Sequence, residues 1–256
     1  MDLELSGKKA IVTGGGRGIG KWITELLAEE GASVAICGRN PDTLEGTLEG
    51  SSAAGLNVLG RPVDVGDPLA YRDWMDWAVG ELRGLDIFVH NVTSGVESGT
   101  LEDWEHAHRV DMMGAVIACE HLQPELEKSN AASIIFISSI SALLTRTGKR
   151  TEHAYGAMKA ALLNYATQLS KLLGPKGVRV NVVSPGAIDF PDGVWDLVRR
   201  SDPDYYNEVS RAAAIGRMGR PEEIAYAVAM LASPRASLIT GSNLIVDGGF
   251  RTHVDF

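Results

Sequence analysis

The sequence predicts an α/β fold, a doubly wound parallel sheet of about seven strands with helices on both faces, and three observations carry that prediction. Short apolar runs rich in β-branched residues recur along the 256 residues, segments with apolar residues at helical spacing lie between them, and the first run leads through a glycine-rich turn into a helical pattern. Regular alternation of strand and helix implies parallel neighbours, because parallel strands are joined by long crossovers that usually contain a helix.

The strand-sized runs lie at residues 9–13, 33–37, 57–61, 85–90, 132–138, 178–183 and 243–246. Helical spacing covers 19–28, 69–82, 104–126, 154–173 and 222–231. Asp67 before Pro68 reads as an N-cap with proline in the first helical position, and Arg220-Pro221-Glu222-Glu223 marks another helix start. Gly174, Pro175 and Gly177 stop the long helix ahead of the sixth strand. With no composition shift, repeat or low-complexity tract to mark a linker, one domain spans residues 1–256. The stretch 189–216, holding Pro191, Gly193, Trp195, Pro203, Tyr205 and Tyr206, breaks the alternation and reads as an irregular lid or substrate-binding loop.

Composition narrows the function classes. The formal net charge is -9, from 24 basic and 33 acidic residues, and no Lys/Arg-rich run offsets it, so a nucleic-acid partner is not expected. Cys37 and Cys119 lack metal-type spacing and sit in apolar segments as small hydrophobes, which fits a reducing compartment. The first residues lack the basic and apolar pattern of a secretory signal, and no apolar run approaches the roughly 18 residues of a bilayer span. A cytoplasmic protein with no membrane partner is expected. His106, His108, His121, His153 and His253 form no metal-ligand pattern, and no metal is assigned.

Chemistry begins at the first turn: Thr13, Gly14, Gly15, Gly16, Arg17, Gly18, Ile19, Gly20. Glycines allow a tight turn and a close approach of the backbone to a pyrophosphate, which rests on the free N–H groups of the following helix. Taken alone, such a cluster is a tight strand-to-helix turn; with strand before and helix after, it points to a dinucleotide. The second strand ends at Cys37, Gly38, Arg39. An acid there would accept hydrogen bonds from a ribose 2′-hydroxyl and repel a 2′-phosphate, whereas Arg39 and Arg17 can converge on the phosphate. NADP(H) is therefore favoured over NAD(H), the alternative for Arg39 being a solvated loop charge.

Tyr155 and Lys159 lie four apart on a helical segment and so share a face. A phenol with an ordinary pKa of about 10 is a poor base at neutrality, and an adjacent ammonium favours its phenolate. Without context such a pair is a surface contact. The spacing of Gly14, Gly18 and Gly20, together with Tyr155-Gly156-Ala157-Met158-Lys159, resembles the short-chain dehydrogenase/reductase family in its standard single-domain form, close to the 3-oxoacyl reductases, from about Leu5 to Gly249.

That resemblance implies roles for further residues. Tyr155 exchanges a proton with the carbonyl or alcohol, Lys159 assists it and holds the ribose, and Ser139 hydrogen-bonds the carbonyl, with Ser138 and Ser141 reading as turn hydroxyls. Asp111 stands where the family often has a relay asparagine; an N-cap or solvated acid is the other reading. Asp64 and Val65 fall at the adenine, although Asp64 also suits a turn before Gly66. Asn91 and Val92, with Gly16 and Ile19, line the cofactor, while His90 and Thr93 depart from the family's Asn-Asn-Ala-Gly. Asn91-Val92-Thr93 also matches a glycosylation sequon that a cytoplasmic chain never presents to that machinery. Pro185, Gly186 and Ile188 clasp the nicotinamide amide; Phe190 replaces a common threonine and, with Trp195, either lines the substrate site or anchors the loop.

The resemblance implies a single-domain Rossmann fold, a homotetramer packed through long helices and the C-terminal segment, and reduction of a ketone or 3-oxoacyl carbonyl by NADPH. Oxidation of a hydrophobic or cyclic alcohol and a non-catalytic dinucleotide-binding role are the alternatives.

Overall fold

In a computed structural model, which describes residues 2–95, 99–144 and 153–252, strands and helices alternate through most of the chain. β1 (Lys9–Thr13), α1 (Gly18–Glu29), β2 (Ser33–Gly38), α2 (Pro41–Ala53), β3 (Val58–Pro62), α3 (Pro68–Leu82) and β4 (Ile87–His90) form the first half. The second contains α4 (Leu101–Ala107), α5 (Gly114–Leu126), β5 (Ser133–Ile137), α6 (His153–Leu173), β6 (Arg179–Pro185), α7 (Val194–Ser201), α8 (Pro203–Ala212), α9 (Pro221–Ala232) and β7 (Asn243–Val246).

The strands form one parallel sheet in the order β3-β2-β1-β4-β5-β6-β7. Ile11 of β1 pairs with Ala35 of β2 on one side and with Phe88 of β4 on the other. The central strands are covered on both faces, which is why β5 reads Ser-Ile-Ile-Phe-Ile without alternation and is buried throughout. One core places Tyr71, Met75, Leu122 and Leu162 of α3, α5 and α6 against the sheet; the other places Ile23, Leu27, Ile224 and Val228 of α1 and α9 on the opposite face. Strand order reverses between β1 and β4, and the crevice at their carboxyl ends is where such sheets bind ligands.

Two local expectations require correction, and one helix lies where none was expected. The helix expected over 104–126 is interrupted by a π-helical turn, His108–Met113, between α4 and α5; periodicity cannot register a single extra residue per turn. The stretch 189–216 is not an irregular loop throughout but holds α7 and α8, the latter opened by the Asp202 carboxylate on the Tyr205 N–H with Pro203 in the first turn. α2 went unread although Asn40 caps it ahead of Pro41. In both places an Asx-Pro pair starts a helix, as Asp67-Pro68 does for α3.

The C-terminal end of α9 is sealed by a side chain from the sheet. Arg179, at the start of β6 and buried, donates to the carbonyls of Leu231 at 2.8 Å and Ser233 at 3.1 Å, with longer contacts to Ala232 and Ile239 at 3.4 Å. The carbonyls of Leu231 and Ala232 belong to the last turn of α9, where a helix end leaves carbonyls without internal partners. Arg179→Met is therefore expected to lower the unfolding free energy by about 2–4 kcal/mol, read from the denaturant midpoint. A loss of less than ~0.5 kcal/mol would mean that water serves those carbonyls equally well.

Candidate active site

A cavity of about 540 Å³ opens at the carboxyl ends of the strands. On one side it is walled by the turn between β1 and α1, where Gly14, Gly16, Arg17, Gly18, Ile19 and Gly20 all face it. Gly18 adopts φ +52°, and a Cβ there would lie 2.7 Å from the Phe190 ring. A Cβ on Gly20 would meet the Gly14 carbonyl oxygen at 2.1 Å, so α1 reaches this close to β1 only with glycine in place. The Asn91 amide braces the turn by donating to the carbonyls of Thr13 at 3.2 Å and Gly14 at 3.1 Å. No acidic residue occupies the first turn of α1, leaving its N–H groups and positive dipole end available to an anion. These features fit a dinucleotide pyrophosphate.

Further along the cavity lie Gly38, Arg39, Asp64, Val65, Val92, Pro185, Gly186 and Ile188. The Asp64 carboxylate accepts from the Gly66 N–H at 2.9 Å, so its turn-forming role is realised while it also lines the cavity. Arg17 and Arg39 reach the same cavity, both exposed at its rim, and Arg17 donates to the Asp192 carbonyl at 3.4 Å, toward the loop after β6. A Cβ at Gly38 would meet nothing within 4 Å. The absence of an acid there is therefore not imposed by packing.

Ser139, Tyr155 and Lys159 converge on this cavity from the end of β5 and from α6. Ser139 Oγ accepts from the Ser141 N–H at 3.1 Å, whereas the Ser138 hydroxyl is engaged in donating to the Lys159 carbonyl at 2.9 Å. The Lys159 Nζ lies 5.6 Å from the centre of the Tyr155 ring, as expected for residues one helical turn apart. Only 2% of the Lys159 side chain is exposed, and its Nζ donates to the carbonyls of Ile137 at 3.2 Å and Val92 at 3.4 Å.

Asp111 proves to be neither an N-cap nor a solvated acid. It sits in the π-helical turn, wholly buried, with Oδ1 3.0 Å from Lys159 Nζ in an ion pair. Its Oδ2 accepts from the Ser94 N–H at 2.9 Å and the Ser94 hydroxyl at 2.5 Å. Burial pushes this carboxyl up, but Lys159 and the two Ser94 hydrogen bonds outweigh it and hold the group below the ordinary carboxylate value. Beneath it, the His90 Nε2–H donates to the Asp111 carbonyl at 3.2 Å. Burial, reinforced by the Lys159 ammonium, brings that imidazole down to about 3. Ser94 escaped the sequence reading because nothing in its local pattern connects it to residue 111.

The cavity also has an apolar lining from Ile140, Leu144, Val194, Trp195, Val209 and Phe250. Phe190 packs on the backbones of Gly18 and Gly193 and joins the core on the α1 side, so it both lines the cavity and anchors the loop. Trp195 lies 6.0 Å from the Tyr205 ring, linking α7 to α8. Among the described residues, no group of three or more His, Cys, Asp or Glu side chains is placed to hold a metal ion, and no helix is long and apolar enough to cross a membrane. Cys37 and Cys119 are free and buried, which pushes both thiols up.

Residues 14–251 match a family model described as enoyl-(acyl carrier protein) reductase. The chain is 35% identical to an isoepoxydon dehydrogenase of Penicillium expansum, with 98% of each chain covered. It is 31% identical to a 3-oxoacyl-[acyl-carrier-protein] reductase of Chlamydia pneumoniae over 97% of this chain and 99% of the relative. A short-chain dehydrogenase of Burkholderia cenocepacia, solved in complex with NADP, superposes with a TM-score of 0.83 at 31% identity, covering 96% of this chain and 98% of that one. With the parallel sheet, the glycine turn and the Ser139–Tyr155–Lys159 cluster already in place, these matches make the chain a member of the short-chain dehydrogenase/reductase family, oxidoreductases that bind a nicotinamide dinucleotide and act between CH–OH and C=O.

Proposed function

We propose that this protein is an NADP(H)-dependent reductase that converts a ketone or 3-oxoacyl-type carbonyl to a secondary alcohol. The observation that carries the proposal is the convergence of Tyr155, Ser139 and the buried Lys159 ammonium on one cavity with the glycine turn. The bound nicotinamide would supply or accept the hydride. Tyr155 donates the proton to the carbonyl oxygen, Ser139 orients that oxygen, and Lys159 tunes the phenol through space. Backbone N–H groups at the start of α1 hold the pyrophosphate, and Pro185, Gly186 and Ile188 border the nicotinamide end.

Selection of NADP(H) is supported by Arg39 and Arg17 at the cavity rim and by Gly38, where an acid is absent despite open space. The apolar lining around Trp195, Val209 and Phe250 favours a hydrophobic substrate body, with 189–216 as the substrate-binding segment. A homotetramer belongs to the same proposal, supported by exposed Leu172 at the end of α6 and Leu238 ahead of β7.

Two variants test these assignments. Tyr155→Phe keeps the ring and loses the proton, so NADPH-driven ketone reduction should fall by about 100-fold or more while NADPH binding persists; retained turnover would remove Tyr155 from the chemistry. Gly38→Asp places a carboxylate in open space where a 2′-phosphate would sit. The ratio of kcat/KM with NADPH to that with NADH should drop by on the order of tenfold or more, and an unchanged ratio would show that position 38 does not select the cofactor.

A further inference from the structure

The ammonium of Lys159 is balanced from behind by a carboxylate that is itself held in place. Asp111 Oδ1 is 3.0 Å from Nζ, and Oδ2 is clamped by both polar groups of Ser94, which follows β4. The other titratable groups facing this pair from the elements around it, among the described residues, are Tyr155 on α6 and His90 on β4, and His90 is uncharged through the physiological range. An amide at position 111 could bond Ser94 similarly but would leave one uncompensated positive charge beside the phenol. The carboxylate makes the buried pair neutral overall, and a neutral pair does less to stabilise a phenolate than a lone ammonium does.

We propose that Asp111, clamped by Ser94, is a charge-compensating positioning residue for Lys159 that keeps Tyr155 in its proton-bearing form into more alkaline pH, suiting the site to carbonyl reduction over alcohol oxidation. The inference rests on Tyr155 as the proton donor proposed above. Ser94, which also lines the cavity, shares the task by fixing the carboxylate against the ammonium.

The test compares wild type, Asp111→Asn and Ser94→Ala in two measurements: the pH profile of reductive kcat at saturating NADPH, and the near-ultraviolet tyrosinate absorbance of each protein against the same protein carrying Tyr155→Phe. Asp111→Asn should move the alkaline limb and the tyrosinate midpoint down by on the order of one pH unit. Ser94→Ala, which loosens the carboxylate without removing its charge, should move both the same way by less, and carries the test if Asp111→Asn does not fold. A midpoint that stays in place or rises in the folded variants overturns the proposal. Absence of ketone turnover in the wild type would instead fail the reductase assignment, while the tyrosinate midpoint, which needs no turnover, still decides the compensation.

Discussion

Because the strands are all parallel, their carboxyl ends lie along one edge of the sheet and the connections must cross a face to begin the next strand. That constraint organises the molecule. It buries the central strands on both sides, which demands the unbroken apolar runs of β4 and β5, and it collects the turns after β1, β2, β4, β5 and β6 around one crevice. Residues far apart in the chain, such as Gly14, Arg39, Asn91, Ser139 and Ile188, become neighbours of one cavity for this topological reason alone.

Inside this apolar frame, several polar groups complete another group's bonding. Asn91 answers the carbonyls of the glycine turn, Arg179 those at the end of α9, and Ser138 the carbonyl of Lys159. The Lys159–Asp111 pair is the most demanding case, since two charges have left water together and each needs further partners to offset the desolvation cost. Lys159 finds the carbonyls of Ile137 and Val92, and Asp111 finds Ser94. The π-helical turn at His108–Met113 places the carboxylate within this arrangement, and the backbone carbonyl of the same residue receives the His90 imidazole.

The segment after β6 follows a different logic. α7 and α8 expose much of their surface; Trp195 and Tyr205 join them to each other, Asp196 pairs with Arg199 and Arg200 within α7, and Arg200 to Asp192 and Tyr206 to Asp189, the latter at 2.8 Å, hold them to the preceding turn. Phe190 and the Arg17 contact with Asp192 then tie the segment to the glycine turn. That wall of the cavity thus rests on the glycine turn.

The fold class, the strand positions and the pairing of Tyr155 with Lys159 were legible in the chain, because strand burial, glycine turns and helical spacing are local patterns with fixed periods. Helices α7 and α8 were legible only in part: Asp202-Pro203 carried a start signal, but the proline was read as a break. The surroundings of Asp111 were not legible at all. An acid on a helical segment has the same local pattern whether it faces water or a buried ammonium, and only the packing of the π-helical turn against α6 and the approach of Ser94 decided which. The sequence by itself determined which residues could perform proton chemistry and which backbone could cradle a phosphate; the tertiary structure decided which charges neutralise one another, since that depends on distance and burial between residues that share no local period.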